Sequence, residues 1–219
     1  MLLVFDFDGT LVDSIRDLAE SASDLSEEYG GHRLDARSVT LMVGEGARTL
    51  VERILAQAGV TGAQPGALGR FLEIYDRRML DHTAPYVGMI ETLTMVGRSH
   101  QLALLTNKPE HATRRIMSYT GLDRFFDDCV FGDGQLARKP DPEGLHWLMG
   151  RHGVSAAQTW LVGDSDVDMA TARAAGVQLC LARYGFGFVR VEATTLRDGD
   201  VIIDRPEDLL TALQDRCGQ

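Results

Sequence analysis

Six short apolar runs constrain this chain more than any other feature: LLVF (2–5), QLALLT (101–106), CVF (129–131), TWLV (159–162), VQLCLA (177–182) and VII (201–203). Each is strand-length and built from Val, Leu, Ile and similar residues. Between most of them lie stretches with helical spacing, among them Pro109 to Tyr119, Pro142 to Arg151 and Asp166 to Ala175. Strands that alternate with helices predict a mostly parallel, doubly wound α/β sheet. The runs are continuously apolar rather than alternating, as expected of strands covered by helices on both faces. Pro109 and Pro142 mark helix starts, where proline's fixed φ and missing N–H cost nothing.

The rhythm breaks from Ser14 to about Tyr86. No convincing strand occurs there, only helical patterns at 15–29, 47–58 and 66–81 separated by Gly- or Pro-containing turns. This predicts a helical cap at 15–83, inserted after the first strand into a core made of 1–14 and 84–219. An insertion that leaves just after a strand hangs over that strand's carboxyl end.

Chemistry collects at the same end. LLVF runs into Asp6 and Asp8; QLALL runs into Thr106, Asn107 and Lys108; TWLV runs into Gly163, Asp164, Ser165, Asp166 and Asp168. Ligands of open α/β sheets bind in the crevice beyond the carboxyl ends of the strands, so these residues share one rim. Residues i and i+2 of an extended chain point the same way, which lets Asp6 and Asp8 face one site, one as nucleophile and the other as general acid/base. Three carboxylates at one rim raise a pKa or require a cation, and a hard divalent ion such as Mg²⁺ takes oxygen ligands of this kind. A metal would also screen an anionic nucleophile approaching a phosphate. Thr106, the backbone after it and Lys139 of ARKPDP are the natural donors for phosphoryl oxygens. Gly9 would let backbone N–H groups approach a phosphate, and Thr10 would cap the turn or touch the ligand.

These segments resemble the haloacid dehalogenase superfamily of aspartyl phosphatases: DFDGTLVDS its first motif, LLTNK its second, Lys139 in RKPDP its third, and VGDSDVDMATARAAG its fourth. The resemblance implies a Rossmann-like core, with Asp6 as the nucleophile that forms an aspartyl-phosphate and Asp8 as the general acid/base. It makes Thr106 and Lys139 phosphate binders, Lys139 counting also among the catalytic residues, with Asn107 beside them. Mg²⁺ would be held by Asp6, the Asp8 main-chain carbonyl and Asp164, with Asp168 supporting the site from behind or through water. VGEGARTLVERIL (43–55), PYVGMIETL (85–93) and LLTNKP (104–109) resemble the phosphoglycolate phosphatase branch. Dehalogenases proper lack the second acid of the DxD pair and phosphonate-cleaving relatives replace it with a small residue, so Asp8 argues against both.

The expected activity is Mg²⁺-dependent hydrolysis of a small phosphomonoester such as 2-phosphoglycolate. The alternatives are a broader phosphatase of sugar phosphates or nucleotides and a phosphosugar mutase. A persistent aspartyl-phosphate switch is disfavoured, because receiver domains are far shorter and lack a DxD with a helical cap. Substrate choice would lie in the cap. Gly44, Glu45 and Gly46 are read as a loop dipping toward the site, with Arg48 as the first choice for a substrate carboxylate and Arg53 behind it.

A formal charge of −10 argues against nucleic acid or anionic membrane as partner and leaves a small phosphorylated metabolite. LLVF running straight into acid predicts no secretory leader, and no apolar run approaches the roughly 18 residues of a membrane span. Cys129, Cys180 and Cys217 form no CxxC pair and read as buried free thiols of a reducing compartment, hence a cytoplasmic protein, monomer or homodimer. The six histidines lack zinc spacing. Trp147 and Trp160 read as core positions, and Asp13 as a hinge or helix-start residue.

Overall fold

A computed structural model describes residues 1–217. Six strands, β1 (Leu2–Phe5), β4 (Gln101–Leu105), β5 (Asp128–Val130), β6 (Thr159–Gly163), β7 (Gln178–Ala182) and β8 (Val201–Ile203), form one sheet in the order β5-β4-β1-β6-β7-β8. All pairings in it are parallel, with Leu3 opposite Leu102 on one side and Trp160 on the other. From β1 the chain winds outward through β4 to β5, then returns to β6 on the other flank. That reversal puts a crevice at the carboxyl end of β1.

Alternation along each strand sends neighbouring side chains to opposite faces, and both faces are buried. Leu3, Phe5, Leu102, Leu104, Trp160 and Val162 pack in one apolar cluster, whereas Leu2, Val4, Ala103, Leu105 and Leu161 pack in a second. The strands are therefore apolar throughout. Helices α5 (Met89–Val96), α6 (Glu110–Thr120) and α9 (Asp208–Cys217) send Leu93, Ile116 and Leu209 into the first cluster. Helices α7 (Glu143–His152) and α8 (Asp166–Ala175) send Leu145 and Ala172 into the second. Pro109 and Pro142 stand immediately before α6 and α7.

Between β1 and β4 the chain builds α1 (Ile15–Glu28), α2 (Ala36–Thr40), α3 (Ala47–Gln57) and α4 (Ala67–Arg78). Helix α1 packs against the other three. The short helix α2 has no counterpart among the expected patterns, and it starts where the Asp35 side chain accepts from the Ser38 N–H at 2.7 Å. A further departure joins the two linkers. Val12–Asp13 (β2) pairs antiparallel with Ala84–Pro85 (β3), so the segment expected to hold no strand contributes a two-residue one. Buried Asp17 reinforces the junction: its Oδ2 accepts from the His82 N–H, the Thr83 N–H and the Thr83 hydroxyl. Asp13 is exposed and accepts the Ile15 N–H at 3.3 Å, at the start of α1.

Trp160 is buried, but Trp147 is 43% exposed on α7, because Leu145 and Leu148 take that helix's inward face. Cys180 is buried and Cys129 half-buried, both as free thiols, while the side chain of Cys217 lies outside the described residues. Among the described residues no helix is long and apolar enough to cross a membrane.

Candidate active site

Strand β1 ends at Phe5, and the chain then folds back on itself: the Phe7 carbonyl accepts the N–H groups of Thr10, Leu11 and Val12. Phe7 is fully buried, which anchors the turn and leaves Asp6 and Asp8 on the opposite side. Both carboxylates line one cavity at the crevice, together with Thr106, Asn107, Lys108, Asp164 and Ser165 of the core and Gly44, Gly46, Leu50, Phe71 and Tyr75 of the helical insertion.

Asp6 meets the Lys139 ammonium at 2.7 Å, and Lys139 also donates to Asp168 Oδ1 at 2.6 Å. Burial and then the nearby Asp168 charge push the Asp6 carboxyl up to about 7 against the pull of Lys139. Burial would pull the Lys139 ammonium down, yet Asp168 and Asp6 together hold its pKa above the ordinary lysine value. Asp168 has both oxygens engaged, since Oδ2 accepts from the Ser165 hydroxyl at 2.6 Å and its N–H at 3.1 Å. The same carboxylate thus caps α8 and fixes the lysine. Asp164 accepts the Gly187 N–H at 2.7 Å, and burial followed by the charges of Asp168 and Asp6 raises its pKa well above the ordinary value.

Oxygens of Asp6, Asp164 and Asp168 lie within 4.8 Å of one another, with Lys139 as the ammonium paired into the group. Three buried acids against one cation, all offering hard oxygen atoms, fit a hard divalent ion. Asp8 stands apart from this group. Its oxygens each receive Lys108 Nζ at 3.0 Å, and Oδ1 accepts the Ser14 hydroxyl as well.

Gly9 and Thr10 are displaced from their expected places. The Gly9 N–H is spent on the Val12 carbonyl at 2.9 Å, and neither residue lines the cavity. Gly9 serves the site by its missing side chain: φ is +84°, and a Cβ would fall 2.0 Å from Asp164 Oδ2. Thr10 is fully buried with its hydroxyl 3.5 Å from Asp164 Oδ1. Thr106 and Asn107 do reach the cavity. The Thr106 hydroxyl accepts the Lys108 N–H at 3.1 Å, and the Asn107 amide donates to the carbonyls of Gly44 and Lys139 at 2.9 Å each. The Gly44 contact shows that the 43–46 loop does dip onto the core.

Arg48 does not reach the cavity. On α3, Ala47 and Leu50 face it, so Arg48 falls on the outer side, exposed beside Gln64 and Pro65. Arg53 braces the loop instead, donating to the Met42 carbonyl at 2.9 Å and pairing with Glu45. The cations that line the cavity are Lys108 and Arg190. Arg190 enters from the segment after β7, pairs with Asp166 at 2.9 Å and donates to the Val43 carbonyl. Gly44 makes room for it, since a Cβ there would lie 2.5 Å from the guanidinium. The sequence puts Lys108 on the rim without marking a role for it, and Arg190 is not marked at all. Lys108 follows Thr106 and Asn107 directly, whereas Arg190 sits in no motif.

The family model described as haloacid dehalogenase-like hydrolase matches residues 3–182. A phosphoglycolate phosphatase of Pseudomonas syringae pv. tomato is 38% identical over 194 residues, covering 86% of this chain and 71% of that protein. A second, from Photobacterium profundum, is 31% identical over 98% of this chain and 96% of its own length. A solved structure named as a predicted phosphoglycolate phosphatase from Haemophilus somnus superposes with a TM-score of 0.86 at 27% identity, covering 97% of each chain.

Proposed function

The chain belongs to the haloacid dehalogenase-like hydrolases, and from that premise we propose that it is a phosphomonoesterase acting through Asp6 on a small carboxylated ester such as 2-phosphoglycolate. The observation that carries the reading is the pairing of Asp6 with Lys139 at the mouth of β1, with Asp8 on the same cavity and Asp164 and Asp168 behind.

Asp6 attacks phosphorus and the ester oxygen leaves, giving an aspartyl-phosphate; Asp8 gives the leaving oxygen its proton and then takes one from the water that hydrolyses the acyl phosphate. Lys139 draws off charge developing on the phosphoryl oxygens and keeps the Asp6 carboxylate aimed at the cavity. Thr106 and Asn107 place further donors around the same group. Asp6, Asp164 and the Asp8 main-chain carbonyl would hold Mg²⁺, with Asp168 fixing Lys139 rather than binding the ion. When bound, Mg²⁺ supplies charge neutralisation for an anionic nucleophile meeting an anionic ester. The 15–83 insertion acts as a cap whose apolar wall of Leu50, Phe71 and Tyr75 keeps bulk water from the cavity. The formal charge of −10 disfavours nucleic acid as a partner, and Lys108 and Arg190 at the cavity supply the local positive charge that a small phosphorylated metabolite of the cytoplasm needs against that background.

A panel of phosphate esters with Mg²⁺ and a phosphate-release readout tests the proposal. It predicts a higher kcat/KM for 2-phosphoglycolate than for sugar phosphates and nucleotides. Isomerisation of a sugar phosphate faster than phosphate release would replace it with a mutase.

A further inference from the structure

The cavity holds a buried phenol with an unused hydrogen. Tyr75, on α4, is 3% exposed and lines the cavity. Its hydroxyl oxygen accepts from Lys108 Nζ at 2.7 Å, but among the described residues its own O–H meets no acceptor. Lys108 cannot be one, because an ammonium has only donors. Burial pushes the phenol pKa up to about 12, so the hydrogen is present at neutral pH. A buried donor without an acceptor is costly, and a site that leaves one facing a cavity is built for an oxygen the chain does not supply.

The position of that donor selects the oxygen. Lys108 ties Tyr75 to Asp8, with its ammonium 3.0 Å from each Asp8 oxygen and 4.5 Å from the centre of the Tyr75 ring. The pair therefore lies beside the acid that serves the leaving group. Phe71 stacks on Tyr75 with centroids 6.0 Å apart, and Leu50, Leu72 and Ala112 add apolar surface to the same lining. A neutral leaving group would need no cation here. A short leaving group that ends in a carboxylate would meet the phenol as donor and the ammonium as counter-charge.

We propose that Lys108 and Tyr75 form the recognition site for an anionic oxygen on the leaving group, a carboxylate in a two-carbon ester, in the role that Arg48 was expected to play. This rests on the phosphomonoesterase reading. It makes Tyr75 the point at which the helical insertion reads substrate, and it links substrate binding to contact between insertion and core.

The test compares 2-phosphoglycolate with ethyl phosphate, of similar size but without the carboxylate, in the wild-type protein and in Tyr75→Phe, which keeps the ring and its stacking. The ratio of kcat/KM for the two esters is expected to fall about tenfold in Tyr75→Phe, the loss typical of a hydrogen bond to a charged group. Lys108→Met is expected to lower the same ratio further. A ratio that stays put while both esters lose or keep activity together would overturn the proposal and leave the phosphatase reading standing. If the wild type releases phosphate from neither ester, that reading falls instead, and calorimetric binding of the two esters to the Asp6→Asn protein decides the proposal. Tighter binding of 2-phosphoglycolate that is lost on adding Tyr75→Phe supports it, and equal or absent binding overturns it.

Discussion

The two walls of the cavity are made differently. On the core side the lining residues Asp6 and Ser165 are joined behind the surface by buried Lys139 and Asp168 in an unbroken run of charged and polar contacts between 2.6 and 2.7 Å, and Asp168 has no oxygen left to give. On the insertion side the wall is Val43, Ala47, Leu50, Phe71 and Leu72, with Tyr75 as the polar side chain among them. A wall whose charges lock one another is suited to chemistry that must be preorganised; a wall of apolar surface with one donor is suited to choosing what enters. Lys108, Asn107 and Arg190 are the threads between them.

The comparison breaks most visibly if the core wall is cut. Asp6→Asn is expected to lower kcat by about 10⁴-fold or more with the fold intact, read by phosphate release and circular dichroism. Lys139→Met follows, with a loss of about 10³-fold in kcat and a smaller change in KM, because its ammonium meets charge that develops in the reaction. It also leaves buried Asp168 without its counter-charge, so a lowered melting temperature is expected alongside.

Gly9→Ala probes the same wall through the backbone. The left-handed φ and the close carboxylate of Asp164 predict a destabilisation of about 2–4 kcal/mol in denaturant melts. A loss below 1 kcal/mol, about the cost of the φ alone, would show that Asp164 moves aside freely.

The pH dependence of stability in chelator is a milder test. Folded Asp6 keeps its proton to about 7, whereas an unfolded carboxyl releases it near 3.8. The folded state therefore binds more protons across that window, and stability falls as pH rises from about 4 to 7, by roughly 1 kcal/mol per unit where the slope is greatest. Asp6→Asn should make that slope shallower, leaving the part that the raised Asp164 carboxyl contributes, and Mg²⁺ should restore stability at pH 7 far more than at pH 5.

The smallest effect is expected on the other wall's outer face. Arg48→Ala should change the ratio of kcat/KM for 2-phosphoglycolate and ethyl phosphate by less than about twofold, since surface substitutions away from partners cost little. A larger drop would return Arg48 to the site.

Legibility in the sequence follows the same division. The sheet was readable because strands buried on both faces are apolar at every position, and CVF missed its strand by a single residue. Asp6, Asp8, Thr106 and Asp164, which share the cavity, and Lys139, which pairs with Asp6, stand out in the sequence because each closely follows a strand or lies in a motif. Arg48 misled because a charge next to a loop carries no sign of which way a helix will turn it. Tyr75 and Arg190 were not readable, because what makes them matter is a contact across about 33 and 147 residues respectively, to Lys108 and Val43. Gly9 stands in a motif, but the reason only glycine fits there is Asp164, far along the chain, whose carboxylate occupies the space of a Cβ.

The central claim is that Asp6 takes the phosphoryl group, and it can be read directly. A single turnover of 2-phosphoglycolate with Mg²⁺, quenched in acid and digested for mass spectrometry, is predicted to show a phosphoryl adduct on the peptide carrying Asp6. The adduct should be absent in Asp6→Asn and should accumulate in Asp8→Asn, where the second proton transfer is lost. Phosphate released in the same time with Asp6 never modified would contradict the account.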